Sequence, residues 1–363
     1  VSNKALIQAP YPIFFGDNVL AELNTFLSEN FSQHKKIILC DTNTLSLCLP
    51  LIEFADLSEL ADFEIIEVPE GEESKSVETC NGIWQSLLEM NADKNTLLIN
   101  LGGGMICDLG GFIASVYKRG IPFIHLPTSL LAQVDASIGG KTAINLGEVK
   151  NQIGTFTNPN AVIVYPEFLE SLPQVEIRTG LAEMLKHCLI ASEKDFYTLL
   201  GLMPFTLKKL SALIKKSIRI KHRIVKLDPT EKNLRKSLNF GHTIGHAIES
   251  YFIAKNSELT HGHAVALGMY MELYLSRKKL ALSENEYKTA SDFICINYPF
   301  VSLKGCTKRL LQLMHADKKN ENGMINFTLL QQIGKAVINQ YCTEIEIAEA
   351  IDFYTVNYKK IAH

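Results

Sequence analysis

Residues 96–112 read TLLINLGGGMICDLGGF. The apolar run from Thr96 to Asn100 passes through Leu-Gly-Gly-Gly into a stretch with helical spacing. Strand, glycine turn and helix in that order are the unit from which parallel sheets are wound. Glycines in the turn let the backbone approach a phosphate, and the helix N-terminus offers unpaired N–H groups. The spacing departs from the dinucleotide fingerprint G-x-G-x-x-G, because Gly102 and Gly104 fill the first two positions and Cys107 stands at the third. On these residues alone, a pyrophosphate cradle and a tightly packed turn are close alternatives. Asp108, in the first helical turn, suits the positive end of the helix dipole and could also reach a ribose or nicotinamide.

The same alternation extends outward on both sides. Strands are predicted at Lys36–Asp41, Glu64–Val68, Phe123–Pro127 and Ala161–Tyr165, separated by helical stretches. After about Ser171 the period changes. From Pro173 to about Ala290 the spacing is helical, with Gly180–His187 inside one helix and Pro173 suited to its start. A short hairpin is expected near Met324–Ile338 and a helix over Thr343–Tyr354. The expected architecture is an α/β domain over 1–171, with a mainly parallel, Rossmann-like sheet. A mostly α-helical domain over 172–363 follows it. A cleft between two such domains is a usual ligand site.

The chain has 363 residues, 47% hydrophobic and 21% charged, which suits two domains with ordinary cores. A net charge of −3 argues against nucleic acid as the main partner. The eight cysteines are scattered without a C-x-x-C pair, so a thiolate zinc cage is not indicated and reduced thiols are expected. The first residues show no basic start followed by a long apolar run, and no apolar run reaches the ~20 residues that span a bilayer. A cytoplasmic protein without membrane contact is expected.

Four histidines, His242, His246, His261 and His263, fall within 22 residues. His242 and His246 are spaced i, i+4 and share a helix face. The intervening Thr-Ile-Gly lacks the glutamate of H-E-x-x-H, which disfavours a zinc protease. A third ligand could come from His261 or His263, and a carboxylate from Glu183, giving three protein ligands and an open position. Spacing does not choose between His242 with His246 and His242 with a histidine of the second motif. Cationic residues (Lys141, Lys186, Lys221, Arg119, Arg235, Lys318 and Lys319) sit beside glycines, histidines and Asn239. Any one of them is by default a solvated surface charge. Together they suit a small, doubly anionic ligand.

In chain order, the segments GEESKS (71–76), GGGMICDLGGF (102–112), YKRGIPFIHLPTSLLAQVDASIGGKTAIN (117–145), KNQIGTF (150–156), GLAEMLKH (180–187), RKSLNFGHTIGHAIE (235–249), HGHAVALG (261–268) and DKKNENG (317–323) resemble 3-dehydroquinate synthase. The likeness runs from about residue 10 to residue 338. It implies an NAD-binding α/β domain, a helical metal-binding domain and a homodimer. The metal, zinc or alternatively cobalt, would be held by Glu183, His242 and His261, with His246 on the substrate side and His263 without a catalytic role. NAD+ would meet Asp41, Asn43, Glu72, Lys75, Gly103, Gly104, Met105, Asp108, Thr128 and Ser129, then Lys141, Lys150, Phe168, Ser171, Leu172 and Glu176. The substrate would meet Asp135, Lys141, Asn151, Lys186, Lys221, Arg235, Asn239, His246 and one of Lys318 and Lys319, with Arg119 reaching over from the neighbouring subunit. Two departures from the family pattern are Cys107, where glycine is common, and Ser129, where threonine is common.

The resemblance further implies the substrate 3-deoxy-D-arabino-heptulosonate 7-phosphate, converted through transient oxidation at C5, phosphate elimination, re-reduction, ring opening and aldol closure. Related cyclases of the 2-deoxy-scyllo-inosose or 2-epi-5-epi-valiolone type share fold and cofactors but differ in what replaces the carboxylate grip. A metal-dependent polyol dehydrogenase would need no two-ended anion clamp. A non-catalytic binding module would have no use for Asp135, Glu183, Lys186 and His246 together.

Overall fold

The strands β1 (Ile13–Phe15), β2 (Lys35–Asp41), β3 (Glu64–Val68), β4 (Thr96–Gly102), β5 (Phe123–Pro127) and β8 (Ala161–Val164) form one sheet in the order β1-β8-β5-β4-β2-β3, every pair parallel. The structure is a computed structural model and describes residues 5–8, 10–55, 57–147, 149–202, 206–255, 257, 259–315 and 324–361. The chain divides into two compact units, Val1–Pro173 with Thr206–His222, and Gln174–Phe205 with Arg223–His363. The stretch Thr206–His222 therefore groups with the first unit, although it follows the expected boundary near 171.

Strands covered on both faces are apolar at every position, because period-two alternation leaves no side facing water. In β4, Leu97, Ile99 and Leu101 enter one core with Ile38 and Cys40, beneath α1 (Val19–Phe31), α2 (Thr42–Leu47) and α3 (Leu49–Glu53). Leu98, with Ile37 and Leu39, enters the opposite core, beneath α4 (Val77–Glu89) and α5 (Gly104–Val116). One polar pair interrupts that second face. Asn100 and His125 are cross-strand partners, with Asn100 Nδ2 3.2 Å from His125 Nδ1. A Cβ on Gly110 of α5 would lie 2.0 Å from Asn100 Oδ1, so only glycine lets this helix seat there. An antiparallel hairpin, β6 (Lys141–Leu146) and β7 (Val149–Phe156), stands apart from the main sheet.

The second unit contains α6 (Gln174–Ala191), α7 (Glu193–Leu200), the end of α8 (Leu207–Leu227), α9 (His242–Ile253), α10 (His261–Leu280), α11 (Glu284–Asn297), α12 (Thr307–His315) and α13 (Glu344–Ile361). It also holds the antiparallel hairpin β9 (Ile325–Gln332) and β10 (Lys335–Cys342), longer at its C-terminal end than the spacing suggested. Helix α10 is buried from Ala264 to Ser276 and is the core of this unit, with α6, α9, α11, α13 and β9 packed around it. A helix apolar on all sides must be covered on all sides. Backbone approach at two glycines brings its neighbours close: a Cβ on Gly262 would lie 2.4 Å from Thr179 of α6, and one on Gly268 would lie 2.0 Å from the Gly241 carbonyl.

None of the eight cysteines forms a disulfide, and all are buried. Burial pushes the thiols of Cys40, Cys48, Cys80, Cys295 and Cys342 up to about 12. No helix among the described residues is long and apolar enough to cross a membrane.

Candidate active site

In the first unit, the glycine turn ends β4 and opens α5 with Gly103 at the N-cap position. No side chain caps this helix, so its first N–H groups are left for a ligand. A Cβ on Gly103 would meet only Ser129, at 3.4 Å from its hydroxyl, so the backbone here is open. Ser129 Oγ accepts from the Ala132 N–H, and the Thr128 N–H donates to the Gly102 carbonyl. Cys107 is buried under the turn with its Sγ 3.8 Å from the Gly102 carbonyl. This arrangement fits a dinucleotide pyrophosphate.

Beside the turn, buried Lys75 donates to Asp108 Oδ2 at 2.7 Å and to Asn151 Oδ1 at 2.6 Å, with Glu72 Oε1 at 3.8 Å. Burial raises the Asp108 carboxyl, against the pull of Lys75. Glu72 in turn accepts from Asn145, whose Oδ1 takes the Asn151 N–H at 2.9 Å. Asn151 has left-handed backbone, with φ +56°. The predicted phosphate ligand Asn151 is therefore tied into the same network as the predicted cofactor residues Glu72, Lys75 and Asp108.

Asp41 caps α2 by accepting from the Thr44 N–H at 2.9 Å, and Asn43, two residues on, is exposed. Phe168 is buried against Tyr165, while Ser171 is exposed and Leu172, Met105 and Lys150 are partly so. Lys141 opens β6 and is exposed. Arg119 is exposed at a turn in which Lys118 and Arg119 both have positive φ, +48° and +67°. Asp135 lies in the single wide helical turn Ala132–Ala136, and its Oδ1 accepts from Lys221 of α8 at 2.7 Å.

The second unit gathers the predicted metal ligands. Glu183 and Lys186 are one turn apart on α6, both buried, and the ammonium contacts Glu183 Oε2. Glu183 Oε1 lies 3.4 Å from His242 Nε2 and 3.5 Å from His261 Nε2. Burial alone would raise this carboxyl, but Lys186 and the two histidines outweigh it and hold Glu183 well below the usual range. The outer nitrogens are also fixed. His242 Nδ1 donates to the Phe240 carbonyl and His261 Nδ1 to Glu249 Oε2, each at 3.1 Å. Both rings thus present Nε2 inward. Tetrahedral zinc, with bonds of about 2.0–2.1 Å, sets its ligand atoms about 3.4 Å apart. The Glu183–His242 and Glu183–His261 separations fit that spacing.

His246 is more exposed, and its ligand atom groups with those of His242 and His261 within 4.8 Å. Both arrangements left open by spacing are thus close in space, and Glu183 faces His242 and His261. His263 instead contacts the Pro299 carbonyl at 2.8 Å. Glu176 belongs to this unit, partly buried near the start of α6, whereas the other predicted cofactor residues belong to the first unit.

Arg235 is buried in the short helix Leu234–Asn239 and donates to the Pro229 carbonyl at 2.6 Å. Asp228 shapes the approach by accepting N–H bonds from Lys232, Asn233 and Arg235. Asn239 donates to Glu231 Oε1 at 2.9 Å. Spacing did not single out Asp228, Glu231, Glu249 or Glu272. Lys318 and Lys319 lie outside the described residues.

Comparison with known proteins gives two adjoining family matches, 3-dehydroquinate synthase N-terminal over residues 65–179 and 3-dehydroquinate synthase C-terminal over residues 180–320. A 3-dehydroquinate synthase from Parabacteroides distasonis is 43% identical over 338 residues, which is 92% of this chain and 95% of that protein. Among solved structures, a 2-epi-5-epi-valiolone synthase from Streptomyces hygroscopicus subsp. jinggangensis with NAD+ and Zn2+ bound superposes with a TM-score of 0.84 at 24% identity, covering 97% of this chain and 98% of that one. A 2-deoxy-scyllo-inosose synthase complexed with carbaglucose-6-phosphate, NAD+ and Co2+ gives a TM-score of 0.82 at 24% identity, covering 96% and 98%. At that identity the two structures speak for the fold.

Proposed function

Because this chain belongs to the 3-dehydroquinate synthase family, we propose that it converts 3-deoxy-D-arabino-heptulosonate 7-phosphate into 3-dehydroquinate and inorganic phosphate, as a phosphate-eliminating lyase of aromatic biosynthesis. The observation that carries the reading is the buried Glu183 carboxylate facing Nε2 of both His242 and His261 at zinc-ligand spacing. Glu183, His242 and His261 would hold zinc or cobalt. The uncapped start of α5, with Gly103, Gly104, Met105, Thr128 and Ser129, would hold the NAD+ pyrophosphate. When bound, the metal supplies Lewis acidity to the substrate hydroxyls and the nicotinamide supplies a reversible hydride acceptor.

The chain's own residues bind and orient. Arg235 and Lys221 take the substrate carboxylate, arginine through two parallel hydrogen bonds. Lys141, Asn151, Asn239, His246, Arg119 of a neighbouring copy and one of Lys318 and Lys319 take the phosphate. Asp135 and Lys186 hold the reacting hydroxyls and exchange protons with them. Lys75 and Asp108 fix the nicotinamide end. We further infer a cytoplasmic homodimer, with a cofactor-binding domain over 1–171 and a metal- and substrate-binding domain over 172–363. The carboxylate-binding pair Lys221 and Arg235 favours this substrate over the neutral-ended substrates of the related cyclases.

The test is phosphate release from the substrate with zinc and a trace of NAD+, with NADH absorbance followed in the same cuvette. Phosphate far exceeding the NAD+ added, without NADH accumulation, is expected. Absence of phosphate, or NADH formed in proportion to product, would overturn the reading.

A further inference from the structure

The first turn of α9 delivers His242, yet nothing local caps it. Its N-cap residue is Gly241, in the left-handed region at φ +81°, without a side-chain hydrogen bond. The usual capping residues act from extended backbone, so a left-handed turn shuts them out. The cap comes instead from another helix. Glu272, in the middle of α10, is 0% exposed. Its Oε2 accepts the Gly241 N–H at 2.5 Å, and its Oε1 faces the Ile244 N–H at 3.4 Å.

One turn earlier on α10, Gly268 admits the Gly241 carbonyl to within 2.0 Å of where a Cβ would stand. Residues 268 and 272 share a helix face, so α10 grips the 241 residue through its N–H and its carbonyl together. The residue just before, Phe240, supplies the carbonyl that fixes His242 Nδ1 at 3.1 Å. The imidazole and the acceptor that sets its tautomer thus ride on one turn, and Glu272 is the side chain holding that turn. A carboxyl buried in an apolar helix is costly and is retained where its partners need it.

We infer that Glu272 is a positioning residue of the metal centre, directing His242 Nε2 toward Glu183 by clamping the Phe240–Gly241–His242 turn. This rests on the reading of Glu183, His242 and His261 as the metal ligands. Outer groups that orient a ligand typically change metal affinity by about 10–100-fold when removed.

The experiment uses the full chain, stripped of metal and titrated with Zn2+ against a chromophoric chelator. Visible absorption of the Co2+ form and the Tm of the stripped form are recorded beside it. Glu272→Ala is expected to weaken zinc binding at least about tenfold and to change the Co2+ spectrum. Glu272→Gln keeps one acceptor oxygen for Gly241 and is expected to fall between Ala and wild type. A Glu272→Ala chain with lower Tm but wild-type zinc affinity and Co2+ spectrum would reduce Glu272 to a helix cap and overturn the inference. If Glu272→Ala does not fold, Glu272→Gln decides, and wild-type affinity there overturns it equally. Wild-type chain that binds neither metal sinks the ligand assignment and this inference with it, whereas metal-binding wild type with an indifferent variant sinks this inference alone.

Discussion

Glu249 Oε2 accepts from His261 Nδ1 at 3.1 Å, and through that ring it acts on Glu183, 3.5 Å from the other nitrogen. His242, His246 and Glu249 lie at i, i+4 and i+7 on α9, so one helix face carries two imidazoles and the carboxylate that orients a third. Glu249→Ala leaves His261 free to rotate and to change tautomer. Zinc affinity should fall by about 10–100-fold, read by chelator competition, and Glu249→Gln should restore part of it. Unchanged affinity in the alanine variant would show that His261 needs no orienting partner.

His261 and His246 should part company on substitution. His261→Ala is expected to abolish tight zinc binding. His246→Ala should retain zinc and lose roughly ten- to a hundredfold in kcat/KM, the worth of one hydrogen bond to a charged group. Metal analysis of the two purified variants, with phosphate-release kinetics, checks both. Loss of zinc from His246→Ala would make it a ligand and reassign the site to three histidines.

Gly268→Ala places a methyl 2.0 Å from the Gly241 carbonyl, which is backbone and has nowhere to go. Overpacking of this kind costs about 1–3 kcal/mol or more, and the turn that must move carries His242. A lower Tm together with weakened zinc binding is expected. The same substitution at Gly82, inside α4 where a Cβ meets nothing within 4 Å, should leave zinc binding unchanged and raise the Tm slightly, as alanine favours a helix over glycine.

Burial pushes His125 down to about 3, from an ordinary 6.5. Between those values the unfolded chain takes up a proton that the native sheet refuses. The contribution to stability is therefore present above pH 6.5 and is lost as pH falls toward 3, by up to about 1.4 kcal/mol per pH unit. Urea midpoints measured at several pH values between 4 and 7 should fall less steeply for His125→Gln than for wild type. Parallel curves would place the acid sensitivity elsewhere.

What the sequence made legible follows from which forces are local. The strands β2, β4, β5 and β8 were readable because burial on both faces demands apolar runs, β3 at the sheet edge because its β-branched Ile-Ile-x-Val stretch favours a strand, and the glycine turn because strand, turn and helix are contiguous. β1 is only three residues long and was missed. So was the hairpin of β6 and β7, whose Lys-Asn-Gln run reads as a polar loop. Glu183, His242 and His261 could be named only through the family likeness, since spacing equally allowed His246. Glu249 carried a signal, its position on the histidine face of α9, that went unread. Glu272 carried half of one: a carboxylate inside VALGMYMELYL must have a partner, but a partner on another helix is a tertiary fact that no window reveals. Lys75 and Asn151 are 76 positions apart and meet only because the hairpin returns to the start of α5.

The eight shielded thiols give this protein a built-in stopwatch. Only a thiolate attacks an alkylating reagent or a disulfide, and burial holds Cys40, Cys48, Cys80, Cys107, Cys295 and Cys342 in the thiol form. In folded protein these six should therefore stay unlabelled by iodoacetamide at neutral pH, and any of them that reacts marks an opening of the structure around it. Cys107 lies beneath the cofactor turn and Cys342 at the end of β10, so the order in which the two are modified, read by mass spectrometry, would time the breathing of each half of the chain separately.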